Sequence, residues 1–194
     1  PEYNHDLKPY PFDPDKAQEL LKEAGWVDTD NDGILDKVID GKKTPFKFEF
    51  LVSSGNPIRK DIALTLQNEL KDIGIACAVR ELDWSIFLDR VKKKDFAAIT
   101  LGWTGSLRFP PDDYHIWHSS QAEGNGSNHI SFKNAEVDKI LEEYRREFDM
   151  NKRIALYKRF QEILHEEQPY TFLWIQRVAN AYSRRYHGVN WYPG

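Results

Sequence analysis

Cysteine is almost missing: Cys77 is the one thiol in 194 residues, so no disulfide can close within the chain. It lies in an alternating apolar segment and reads as a small buried hydrophobe, because a nucleophile needs a partnered, partly exposed thiolate. A cationic excess is missing too. The 31 acids against 27 bases leave a formal charge of −4, which argues against nucleic acid, a partner that demands a concentrated basic face. No apolar run approaches the roughly 20 residues of a membrane span. The opening Pro1-Glu2-Tyr3-Asn4 is polar and does not read as a signal peptide. P-loop and G-x-S-x-G patterns are absent, and no pair of acids stands out for acid–base work. These absences favour binding over catalysis.

What is present suits one domain, or one large lobe of something bigger, with 40% hydrophobic residues and six tryptophans for a core. Residues 1–12 carry Pro1, Pro9 and Pro11 and read as an extended arm, leaving 13–194 as the main body. Asp13-Pro14 supplies an N-cap and first-turn proline ahead of Ala17, Leu20, Leu21 and Ala24, a narrow-faced surface helix stopped by Gly25. Carboxylates at Asp28, Asp30, Asp32 and Asp36 around Gly33 resemble the start of a calcium loop, in which oxygens wrap a hard cation. The twelfth position, which should hold an acid, is Ile39. The other reading is a polar turn in which aspartates bond neighbouring amides.

From Phe46 the pattern becomes β–α–β–α–β. Phe46, Phe48, Phe50 and Val52 alternate as a strand ending at Ser53-Ser54-Gly55-Asn56. Asn56-Pro57 opens a helix bearing Ile58, Ile62, Leu66, Leu70 and Ile73, stopped by Gly74. Ile75, Cys77 and Val79 begin a second strand, and Asp83 precedes a helix with Trp84, Phe87, Leu88 and Val91. A buried strand over 96–101 follows and ends in a loop where Gly102 and Gly105 bracket Trp103. The predicted fold is α/β, a mostly parallel sheet flanked by helices. Beyond it, 121–128 reads as a glycine-asparagine loop without core positions. Val137, Ile140, Leu141, Tyr144 and Phe148 mark one helix after Asn134, and Ile154, Tyr157, Phe160 and Leu164 another after Asp149. Their charged faces, with Arg145, Arg146, Lys158 and Arg159, read as solvated surface. A last strand is expected over 170–178.

Ligands of open parallel sheets sit beyond the carboxyl ends of the strands. Those ends carry Ser53, Ser54, Gly55 and Asn56, then Asp83 and Trp84, then Gly102, Trp103, Thr104, Gly105 and Ser106. Two tryptophans at neighbouring strand ends would wall a ligand with flat apolar surface. The catalytic alternative is a metal-dependent hydrolase using His115 and His118, three apart, with Asp112 or Asp113 nearby.

Several motifs together resemble a known family. Tyr10-Pro11-Phe12-Asp13-Pro14-Asp15-Lys16-Ala17, Leu20-Leu21-Lys22-Glu23-Ala24-Gly25-Trp26 and Gln67-Asn68-Glu69-Leu70-Lys71-Asp72-Ile73-Gly74-Ile75 carry the first part. The Trp84 helix start, Asp95-Phe96 leading to Gly102-Trp103, Asn134-Ala135-Glu136-Val137-Asp138, Arg153-Ile154-Ala155-Leu156-Tyr157 and Glu166-Glu167-Gln168-Pro169 carry the rest. The order and spacing resemble the oligopeptide- and dipeptide-binding proteins of bacterial ABC importers. That resemblance implies the C-terminal lobe of a type II periplasmic binding protein, a fragment lacking its N-terminal lobe and closing on a solute by a hinge. It implies export to the periplasm or the outer face of a bacterial membrane, and delivery to a permease. It implies no catalysis. It also implies that Trp84 and the backbone of residues 102–104 hold the ligand main chain. Ser106 stands where peptide binders place an aspartate against the ligand amine, and a neutral hydroxyl cannot supply that charge-assisted bond. The family's other solutes, sugars and metal chelates among them, therefore stay open beside peptides.

Overall fold

A computed structural model describes residues 3–103, 112–124, 126–173, 175, 183, 185, 187 and 188. The chain divides into two compact units, Lys8–Trp103 and the pair of segments Pro1–Leu7 and Thr104–Gly194.

In the unit Lys8–Trp103, helix α1 (Pro14–Glu23) is capped by the Asp13 side chain on the Lys16 amide and buries no residue, as its narrow apolar face predicts. A hairpin follows that the sequence reading missed: β1 (Asp36–Ile39) pairs antiparallel with β2 (Lys42–Pro45). Its turn is Asp40-Gly41, with φ of 50° and 75°, the double left-handed geometry that an Asp-Gly pair accepts in a two-residue hairpin loop.

The sheet itself is parallel and three-stranded, β3 (Lys47–Ser53) lying between β4 (Ala76–Leu82) and β5 (Ala98–Ile99). Helix α2 (Pro57–Asp72) connects β3 to β4, and α3 (Trp84–Lys93) connects β4 to β5. Pleating sends alternate residues of β3 to opposite faces. Phe50 and Val52 pack with Ala63 of α2 and Cys77, while Leu51 packs with Phe87 and Val91 of α3. Helices therefore cover both faces, and the predicted α/β class holds. Cys77 is buried, and that burial pushes its thiol pKa up, so it is a core residue rather than a nucleophile.

Two expectations need correction here. The strand expected over 96–101 pairs only at Ala98 and Ile99, with Thr100 N–H reaching the Leu51 carbonyl at 3.4 Å. Phe96 and Leu101 still pack into the Leu51 core, so the apolar run reported burial rather than pairing. In α2, Ile58 is exposed, and the buried residue is Ala63, packed against Phe50, Val52 and Cys77.

The second unit is helical among its described residues. Its core joins Ile116 and Trp117 of α4 (Tyr114–Trp117) to Val137, Ile140 and Leu141 of α5 (Ala135–Arg146) and to Phe160, Ile163 and Leu164 of α6 (Met150–Glu167). Asn134 caps the Glu136 and Val137 amides, and Asp149 caps those of Asn151 and Lys152, as expected. Three expectations fail. Phe148 lies past the end of α5 and is 97% exposed. Residues 170–173 form no strand; 174 and 176–178 lie outside the described residues. The loop over 121–128 does have core positions, since Ala122 and Asn128 are buried. From the opening arm, Asn4 is buried as well; its amide donates to Gln161 Oε1 and its side chain to Glu162 Oε1.

Candidate functional site

The carboxyl ends of the three parallel strands converge on one edge of the unit Lys8–Trp103. In the middle, β3 finishes at Ser53, buried, and Ser54, whose amide donates to the Leu82 carbonyl of β4 at 2.8 Å. Asn56 turns the chain into α2 by accepting from the Arg59 amide at 3.1 Å. Beyond β4, Asp83 takes the N-cap position of α3 without the expected side-chain cap bond. Trp84 stacks on Phe87 at 5.8 Å yet stays 49% exposed, so it is anchored on one face and open on the other. Beyond β5, Gly102 leads to Trp103, 43% exposed. The two tryptophans do not stand at neighbouring strands: β3 lies between the strands they follow, and the serines occupy the interval. The expected site residues Thr104, Gly105 and Ser106 lie outside the described residues.

One residue that the sequence reading passed over joins this edge. Arg59, in the first turn of α2, donates from Nη1 to Ser53 Oγ at 3.2 Å. A Cβ placed on Gly102 would stand 3.7 Å from its Nη2. Among the described residues the edge is open, with Trp84 and Trp103 both half-exposed. Surface depressions of 410 Å³ beside Leu156 and Arg159, and of 320 Å³ beside Trp26 and Leu35, include none of Trp84, Gly102 and Trp103.

The histidine pair is not assembled for metal. Helix α4 is a single turn that stops at Trp117, and His118 follows it in extended geometry, so the two rings do not share a helix face. His115 is exposed. His118 is buried, stacked on Tyr114 at 4.0 Å, with Nδ1 accepting from the Ser120 amide at 3.1 Å. Among the described residues neither histidine belongs to a cluster of three metal-ligating groups.

The aspartate loop is such a cluster in part. Asp28, Asp30 and Asp36 bring carboxylate oxygens within 4.8 Å of one another. Asp32 stays outside it and accepts from the Ile34 amide at 2.8 Å. Lys43 from β2 places its ammonium 2.6 Å from Asp30 and 3.1 Å from Asp36. Burial by itself would raise the Asp36 pKa, but bonds from the Thr29 amide and hydroxyl and from Lys43 together hold it low. Asp30 holds the Lys43 pKa above its ordinary value. The loop thus carries its own cation; Asp28 Oδ1 is a buried oxygen without a hydrogen bond.

Comparison with known proteins identifies the fold. The family described as bacterial extracellular solute-binding proteins, family 5, middle, matches residues 1–125. The oligopeptide-binding protein AppA of Bacillus subtilis is 37% identical over 190 residues, which are 97% of this chain and 34% of that protein. The structure of that protein in complex with a nonapeptide superposes with a TM-score of 0.76 at 38% identity, covering 87% of this chain and 33% of the other. NikZ of Campylobacter jejuni, solved with Ni(L-His), matches with a TM-score of 0.74 at 29% identity over 86% of this chain and 33% of that one. The chain spans about a third of the length of the curated relatives it matches. Such proteins bind solutes and are not enzymes. With the family model matching residues 1–125 and AppA aligned over 97% of this chain, this chain belongs to family 5 of the bacterial extracellular solute-binding proteins.

Proposed function

We propose that residues 13–194 are the C-terminal lobe of a longer binding protein that captures a peptide-like or other small solute and delivers it to an ABC permease. The binding protein works in the periplasm or at the outer face of a bacterial membrane. The solute lies along the strand ends, against Trp84, Gly102, Trp103, Thr104, Gly105 and Ser106. One observation carries the reading: Trp84 and Trp103 stand half-exposed on either side of the buried end of β3, the placement of ligand sites in open parallel sheets. An edge this open needs a second surface to enclose a solute, since small-molecule sites bury most of their ligand. That surface is the N-terminal lobe, brought over by a hinge and held by contacts made only in the closed state. Peptide is the favoured solute because the relative solved with a nonapeptide aligns with nearly all of this chain. Sugars and chelates are the competing classes, and NikZ with its nickel–histidine complex supports the latter.

Thermal-shift screening of the full-length protein against peptides, oligosaccharides and metal chelates names the class. Trp103→Ala should then weaken the identified solute by about tenfold or more, the cost of losing a central aromatic contact. Unchanged affinity in calorimetry would remove the strand-end site.

A further inference from the structure

Between the two tryptophans stands a charge that their stacking does not explain. Arg59 is partly buried, with Nη1 tied to Ser53 and Nη2 against Gly102, so its guanidinium lies across the ends of β3 and β5. The other arginines of this unit, Arg80 and Arg90, both pair with Glu49, and Arg90 also pairs with Asp95. Among the described residues no carboxylate pairs with Arg59. Its Nε and Nη2 make no hydrogen bond there, and neither is sealed from solvent. A guanidinium drawn partly out of water without a counter-charge is unfavourable, and an arriving anion restores charge-assisted bonds.

The open edge has a defined shape. Two arginines elsewhere in the chain grip a carboxylate two-pronged through Nε and Nη2. Arg145 takes Asp112 this way at 2.9 and 2.8 Å, and Arg159 takes Glu136 at 2.8 and 3.3 Å. At Arg59 the same pair has no partner among the described residues, while Ser53 holds Nη1.

We propose that Arg59 is a specificity-determining residue that takes a carboxylate of the bound solute, two-pronged, through Nε and Nη2. The proposal rests on the strand ends being the solute site. A carboxylate offers two acceptors to this edge. A carboxamide offers one acceptor and a clashing donor, so the site discriminates acids from their amides. The carboxylate belongs to a peptide C-terminus or to an acidic side chain, which a guanidinium reads alike.

The test uses full-length protein and short peptides of mixed sequence in three forms: free acids, C-terminal amides, and free acids with glutamine replacing glutamate and asparagine replacing aspartate. Retained peptides are identified by mass spectrometry and titrated singly by calorimetry. Wild type should prefer one acid form by about 10- to 100-fold over its matched amide. Loss of affinity on C-terminal amidation assigns the terminus, and loss on side-chain replacement assigns the side chain. Arg59→Gln should bring the preference near unity by weakening the acid far more than its amide. Arg59→Lys should restore part of it, and supplies the comparison if the glutamine variant does not fold. A preference that survives in both variants, or is absent from wild type, overturns the role of Arg59; if Trp103→Ala still weakens binding in that case, the site stands. If no peptide is retained, or Trp103→Ala changes nothing, the strand-end peptide site falls and Arg59 falls with it.

Discussion

Asn128 shows how a polar side chain can fill a core position. It has no exposed surface, and its amide serves the loop backbone at both ends: Oδ1 accepts from the Phe132 amide at 3.0 Å, and Nδ2 donates to the Phe132 carbonyl at 2.8 Å. Removing the amide leaves buried backbone groups unpaired, which costs more than the bonds themselves contribute. Asn128→Ala should therefore destabilise the protein by about 1–3 kcal/mol, read as a lower denaturant midpoint. The sequence could not show this, since an asparagine following Gly124-Asn125-Gly126-Ser127 looks like any exposed turn. Asp112 is a second residue whose setting decides its chemistry. The Arg145 guanidinium, itself stacked over Tyr114, holds its carboxyl below the usual range. Because folded Asp112 binds its proton more weakly than unfolded Asp112, its contribution is complete above the ordinary carboxylate value near pH 4 and is lost as pH falls through the depressed folded value. Asp112→Asn should flatten the loss of stability in acid below about pH 4 and lower stability at neutral pH, both visible in melting curves against pH.

At the scale of elements, the hairpin and the aspartate loop act together. Strand β2 exists to bring Lys43 back over Asp30 and Asp36, and a calcium ion can take those oxygens only by displacing the ammonium. Lys43→Gln should therefore lower the melting temperature without added metal and gain a larger upward shift with calcium than wild type shows. Equal calcium response in both proteins would separate Lys43 from the metal-ligand oxygens. The hairpin escaped the sequence reading because Lys37, Lys42 and Lys43 leave little apolar alternation around Asp40-Gly41, although that dipeptide carries the turn signal by itself. The helices and the central strand were legible because their periods are unmixed: β3 alternates, α2 and α3 repeat every three or four residues, and Asn56 and Gly74 punctuate. The length of β5 was not legible, since an apolar run reports burial and not pairing: Phe96 and Leu101 pack into the core without joining the ladder. Strand order is likewise a property of the crossovers and not of any one segment.

For the whole molecule, the proposed site is readable from the sequence at its tryptophans and not at its arginine. Trp84 and Trp103 come within four residues of the ends of β4 and β5, so placing the strands places them. Arg59 is assigned only by a side chain that reaches back from a helix to Ser53, which spacing along that helix does not reveal. All these residues lie in one unit, so under the proposed function the solute is closed over by protein beyond the strand ends. The proposed second lobe makes a quantitative demand. A solute lying on this edge keeps much of its surface in water, whereas enclosed ligands bury most of theirs, and the contacts formed on closure are those that hold the hinge shut. The 194-residue chain should accordingly bind the identified solute about a hundredfold or more weakly than the full-length protein, with circular dichroism confirming that it is folded. Scattering should show the full-length protein becoming more compact with solute, and the isolated chain unchanged. Equal affinities in calorimetry would mean that the strand ends hold the solute unaided, and the hinge would then have no binding energy to draw on.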